Sequence, residues 1–218
     1  MSDIERKKEA ANAVDVSALR KQRAFTQPVN VFAKPSSTNP ELQVVAMFDI
    51  TASMFHYFNE VRMKLQEIIL AVKKEIPRSH FSVFAFRNHG DEEKYDQIYY
   101  ASPLTADPNE VFRLIQGIKC GGGGPDALTC MEDCLQEANK LAWNNAAKKA
   151  VVVIGDMSPH GVLDSVKKCY NGINYVEEIT QFKKKNIRVY SVFCGEKQRV
   201  REFYQSIAKD TGGRFLEI

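Results

Sequence analysis

From residue 43 to residue 218, apolar strand-like runs alternate with amphipathic helix-like stretches. No other feature of the chain narrows its possible folds as far. Residues 44–48 and 150–155 are uninterrupted apolar runs bounded by turn signals, the pattern of strands covered on both faces. Residues 80–86, 187–193 and 215–218 read as further strands, and 97–101 as a short one at an edge. Helical spacing runs from Ser53 to about Glu75, where Val61, Leu65, Ile68, Ile69 and Val72 form one apolar stripe and Pro77 stops it. Asp107-Pro108 opens a second helix ending at Gly117, with aspartate as cap and proline in the first turn. Further helices are expected over 126–143, 175–185 and 198–209, with an irregular segment over 161–174. The expectation is an α/β fold: a three-layer, doubly wound, Rossmann-like, mostly parallel sheet with helices on both faces and a short edge strand.

Residues 1–41 differ in kind. Ser2-x-x-Glu5 resembles a capping box, but Pro28, Pro35, Ser36, Ser37, Thr38, Asn39 and Pro40 cannot continue regular structure. They read as an appendage and linker, offering a docking arm through residues 1–40 or a tail, ahead of one domain at 42–218. The 44% hydrophobic content allows a core without disulfides. A net charge of +3 makes no case for nucleic acid, and Lys167-Lys168 and Lys183-Lys184-Lys185 read as solvated helix faces. No run is long enough to cross a bilayer, and the charged start lacks the apolar block of a secretory signal. The 5 cysteines, without a Cys-x-x-Cys pair, point to free thiols in a reducing, cytoplasmic setting. Cys130 and Cys134 lie one helical turn apart and read as core. No His or Cys pair at complementary spacing completes a zinc set.

The chemistry is expected at Asp49-Ile50-Thr51-Ala52-Ser53, directly after the first strand. Ligands of open α/β sheets bind beyond the carboxyl ends of the strands, and right-handed crossovers put those ends on one rim. A second aspartate, Asp156, follows the strand at 150–155, and Gly121-Gly122-Gly123-Gly124-Pro125-Asp126 lies in a connection between strands. Four successive glycines let backbone approach a ligand closely, and the loop lacks the Lys-Ser/Thr ending of a phosphate-binding loop. Asp49, Thr51, Ser53, Asp126 and Asp156 then converge from distant positions. Carboxylates and hydroxyls are hard oxygen donors, suited to Mg²⁺ or Mn²⁺ rather than Zn²⁺. Thr129 is expected a turn into a helix, away from this set. His56, His80, His89 and His160 read as surface or packing residues, His89 being solvated in an acidic loop.

On these residues the chain resembles a von Willebrand factor type A domain over about 42–218. The resemblance rests on Asp49-x-Thr51-x-Ser53, the glycine loop with Pro125-Asp126, the Val-Val-Val-Ile-Gly-Asp156 strand end and the closing Thr211-Gly212-Gly213. Pro159-His160-Gly161 is similar to the intracellular, Asp-x-Pro-Pro-His-Gly type, with Ser158 replacing the first proline. The resemblance implies a metal-ion-dependent adhesion site. Thr51 and Ser53 would bind the ion directly, with Asp49 and Asp156 acting mostly through water. Asp126 would stand in for the middle-loop threonine of much of the family. The implied function is non-enzymatic: an intracellular protein-interaction module that captures a partner's Asp or Glu carboxylate on Mg²⁺ or Mn²⁺. Two alternatives stay open. One is a haloacid-dehalogenase-like phosphohydrolase, although Thr51 occupies the place of its general acid. The other is a metal-free scaffold of the same fold.

Overall fold

The computed structural model describes residues 41–218 apart from Ser165. The capping box, linker and docking arm read at 1–40 lie outside the described residues. Strand β1 (Leu42–Asp49) leads through a single 3₁₀ turn (Ala52–Met54) into helix α1 (Phe55–Glu75). Strands β2 (Ser79–Phe86) and β3 (Tyr99–Ala101) follow, then helices α2 (Pro108–Gly117) and α3 (Met131–Lys140). Strand β4 (Lys148–Gly155), helix α4 (Tyr175–Lys184), strand β5 (Ile187–Phe193), helix α5 (Gln198–Asp210) and strand β6 (Phe215–Glu217) complete the order. The strands form one 6-stranded sheet in the order β3-β2-β1-β4-β5-β6. All neighbours are parallel except the short edge strand β3, which runs antiparallel to β2.

The apolar runs form central strands because both of their faces are covered. Val45 and Met47 of β1 point into one core with Phe84, Phe86, Val151, Val153 and residues of α3, α4 and α5. Ala46 and Phe48 point into the other, with Val83, Ala85 and residues of α1 and α2. The two-residue period of the strand thus feeds two cores, giving three layers. Each fully buried large side chain contributes about 1.5–3 kcal/mol relative to exposure. Cys130 and Cys134 are fully buried in the first core. Asp107 caps α2, its carboxylate accepting from the Asn109 amide at 2.9 Å. Among the described residues no helix is long and apolar enough to cross a membrane.

Two local expectations change. Ile68 is 55% exposed, because it lies on the flank of the α1 stripe that Phe58, Val61, Leu65 and Ile69 bury. The helix expected over 126–143 is only Met131–Lys140. Ala127 adopts φ 53° and Thr129 pairs with Pro159 in a β-bridge, so residues 126–130 lace two rim loops together instead of extending the helix.

The last crossover depends on Gly213. The Thr211 hydroxyl accepts from the Val189 amide at 2.9 Å and donates to the Ile207 carbonyl at 2.8 Å, drawing the end of α5 against β5. A Cβ on Gly213 would collide with the Val189 carbonyl, whereas one on Gly117 meets nothing within 4 Å. Gly213→Ala should therefore cost about 2–3 kcal/mol, typical of overpacking, in urea denaturation. Gly117→Ala should be near neutral, and equal losses from the two would contradict this packing.

Candidate functional site

The strand order places the chemistry. Connections from β1 proceed to β2 and β3 on one side, while β4, β5 and β6 lie on the other. The order therefore reverses between β1 and β4, where open α/β sheets form a crevice at their carboxyl ends. Asp49 is the last residue of β1, and Asp156 directly follows β4. Phe48 is paired with Ile154, so Asp49 is level with Gly155 and Asp156 lies one residue further along the neighbouring strand's exit. Gly155 makes that closeness possible: a Cβ there would lie 2.8 Å from the Asp49 Cβ and 2.6 Å from the Tyr204 hydroxyl. Tyr204 donates to the Met157 carbonyl at 3.0 Å and steadies the turn carrying Asp156.

Asp49 is 1% exposed. Its Oδ1 accepts from the Thr51 amide at 2.7 Å, a local turn that points the chain out of the strand. Its Oδ2 and the Asp156 Oδ1 are buried with no hydrogen-bond partner. Burial first, and then the neighbouring Asp156 charge, push the Asp49 carboxyl up to about 8. The Thr51 hydroxyl lies 3.0 Å from that of Ser53, one buried and the other exposed. Two thiols flank the carboxylates, and both stay protonated. Burial and then Asp49 raise Cys120 to about 11, and burial and then Asp156 raise Cys194 to about 12. The donors presented here are therefore oxygens. The orphaned carboxylate oxygens and the two hydroxyls fit a small divalent cation that keeps part of its water.

The glycine loop is held beside this set by the backbone. The Ala52 amide donates to the Gly122 carbonyl at 2.9 Å and the Gly121 amide to the Ile50 carbonyl at 2.8 Å. Gly122 has φ 86° and Gly124 φ 60°, and a Cβ on either would strike Asp91 or Asn88. A polar run after β2 is built around the loop. Arg87 is fully buried; its guanidinium donates to the carbonyls of Gln97 (2.8 Å), Lys119 (2.5 Å) and Gly121 (3.1 Å) and lies 4.2 Å from the Tyr95 ring centre. Asp91 accepts from the amides of Gly123 at 2.8 Å and Gly124 at 3.2 Å. Sequence reading missed these braces. The rule that located Asp49 and Asp156 applies equally to Arg87, which leaves the carboxyl end of parallel β2.

Asp126 is held by hydrogen bonds. Its Oδ1 accepts from Asn88 at 2.5 Å and from the Leu128 amide at 3.3 Å, and its Oδ2 faces His160 Nε2 at 3.4 Å. It is thus engaged by neighbours other than Asp49 and Asp156. Thr129 is not on a helix; its hydroxyl donates to the Ser158 carbonyl at 3.2 Å. His89 and His160 are neither solvated nor on the surface. Each is buried against an acid: His89 Nε2 lies 3.0 Å from Asp133 and His160 Nδ1 2.5 Å from Glu132. Burial pulls the His89 imidazole down. Its hydrogen bonds to Asp133 and Cys169, with their charges, outweigh that and carry it to about 10.

No family profile matches the sequence, and no curated protein matches it. Solved structures do. The pilus adhesin SpaC of Lactobacillus rhamnosus GG, in its open conformation, superposes with TM-score 0.62 at 11% identity over 84% of this chain. The match spans only 28% of the adhesin's own length. The conserved hypothetical protein BatB of Bacteroides thetaiotaomicron gives TM-score 0.55 at 15% identity, covering 81% of this chain and 90% of that one. These likenesses show the fold alone: an open, mostly parallel α/β sheet with helices on both faces.

Asp49 also sets a pH dependence. Its carboxyl keeps its proton when folded up to about 8, but loses it near 3.8 when unfolded. Between those values the folded chain binds more protons, so this group makes stability fall as pH rises. In chelator, urea denaturation should show a decline from pH 5 to 8 of at most about 1.4 kcal/mol per pH unit from this group. Asp49→Asn should flatten it; an unchanged slope would contradict the burial and charge assigned to Asp49.

Proposed function

We propose that the chain is an intracellular protein-interaction module of the von Willebrand factor A type, built to hold Mg²⁺ or Mn²⁺ at the switch point of its sheet. The observation that supports it most is the pair of unpartnered carboxylate oxygens of Asp49 and Asp156 beside the Thr51 and Ser53 hydroxyls. Thr51 and Ser53 would bind the ion directly. Asp49 and Asp156 would hold it directly or through water and supply the compensating charge. Asp126 would be a contingent member acting through water; its Oδ1 accepts from Asn88, which also donates to the Gly123 carbonyl at 3.3 Å. When bound, the ion supplies an electrophilic centre with a position open to a partner's Asp or Glu carboxylate. Ser53 is exposed and Asp156 half-buried, so such a partner would approach from the rim. Five free cysteines fit a reducing compartment.

We assign the site no catalytic step. The position two residues after Asp49 carries Thr51, whose hydroxyl cannot act as a carboxylic acid. Calorimetry with Mg²⁺ and with Mn²⁺ should show one ion bound per chain, lost in Asp49→Ala with the circular dichroism unchanged. Capture of a partner protein should likewise depend on the ion and vanish in that variant. An Asp49→Ala protein that binds the ion as the unaltered chain does would overturn the reading. Steady phosphomonoester turnover abolished by Asp49→Asn would replace it with the phosphohydrolase.

A further inference from the structure

A second group of ligand-type side chains lies beside the rim set, across His160 from Asp126, and shares no residue with it. His89 follows β2, Glu132 and Asp133 lie in the first turn of α3, and Cys169 comes from the irregular segment between β4 and α4. All four are buried, and each brings one ligand-type atom within 4.8 Å of the others. His89 Nε2 and Asp133 Oδ2 are 3.0 Å apart, and the Cys169 sulfur lies 3.6 Å from each. Tetrahedral Zn²⁺, with bonds of about 2.0–2.1 Å to nitrogen and oxygen and about 2.3 Å to sulfur, requires ligand separations near 3.3–3.6 Å. The two 3.6 Å sides at sulfur match a face of a zinc tetrahedron, the 3.0 Å His89–Asp133 side would lengthen by about 0.3 Å to do so, and Glu132 is the fourth donor.

The surroundings are those of a supported site. Asn171 donates to Asp133 Oδ1 at 2.6 Å, and His160 Nδ1 lies 2.5 Å from Glu132 Oε1. The other His89 nitrogen, Nδ1, is 3.7 Å from Glu92. Asp133 and Glu132 thus each have a hydrogen-bonded neighbour that orients them from behind, as ligating carboxylates have at metal centres. Glu132 is 1% exposed, yet its Oε2 has no hydrogen-bond partner. Internal hydrogen bonds alone leave that oxygen unsatisfied, which is costly for a buried charged group.

We infer that His89, Asp133, Cys169 and Glu132 form a structural zinc site. One thiolate, one imidazole and two carboxylates are a borderline-soft set, which favours Zn²⁺ over Mg²⁺ or Ca²⁺. The site is closed, as structural zinc sites are. It would fasten the segment 161–174, whose described residues form no strand or helix, to the loop after β2 and to the start of α3. Spacing in the sequence could not reveal it, because the ligands stand at 89, 132, 133 and 169 and meet only through the fold.

The test uses the full chain, stripped with chelator and reloaded with Zn²⁺ or Co²⁺. It should retain one zinc per chain through desalting, and the cobalt form should show tetrahedral visible bands with a thiolate charge-transfer band. Cys169→Ser should remove that charge-transfer band and weaken zinc binding at least tenfold. Thr51→Ala with Ser53→Ala should leave both readouts intact, so that failure of the rim site and failure of this one are distinguishable. Absence of a thiolate–cobalt band in the unaltered chain would overturn the inference, whether or not Cys169→Ser folds. So would zinc retained undiminished by Cys169→Ser.

Discussion

Two carboxyl groups brought together at the edge of a sheet repel one another, and burial makes the repulsion worse. Asp49 and Asp156 are in that position. Their strands are parallel neighbours, the Phe48–Ile154 pairing leaves them one residue apart in level, and Gly155 removes a side chain that would collide with Asp49. Each keeps an oxygen without a hydrogen-bond partner. Such an arrangement is unfavourable for folding alone: burial and mutual charge raise the Asp49 carboxyl to about 8. Strain of this kind gathers at functional sites, where a ligand offsets it. A divalent cation would offset both the charge and the missing partners.

The rest of the rim is built to hold that arrangement still. The glycine loop contributes backbone, not side chains, and would be loose by itself. Arg87 ties three carbonyls across 97, 119 and 121, and Asp91 caps two successive glycine amides. A buried guanidinium is tolerated because its nitrogens donate to three backbone carbonyls. Rigidity supplied in this way lets a short sequence such as Asp49-x-Thr51-x-Ser53 present its oxygens in one direction.

Much of this was legible in the amino-acid order, for a physical reason. Apolar runs such as 150–155 have one favourable fate in a chain of this length, and crossover handedness then places Asp49 and Asp156 on one rim. What was not legible depended on partners remote in sequence. His89 stands in an acidic loop and reads as solvated, but Asp133 and Cys169 meet it only in the folded chain. Asp126 has the position of a ligand in the motif, yet Asn88 and His160 engage its oxygens. Helix α3 starts later than its sequence pattern suggests because Thr129 forms a bridge to Pro159 in place of another helical turn, and propensity carries no knowledge of that contact.

Diffraction from crystals grown with Mn²⁺, recorded at the manganese edge, tests the central claim most directly. The account predicts an anomalous peak between Asp49 and Asp156, in contact with the hydroxyls of Thr51 and Ser53. A fully loaded crystal with no peak there, and with the two carboxylates hydrogen-bonded to protein groups instead, would contradict it.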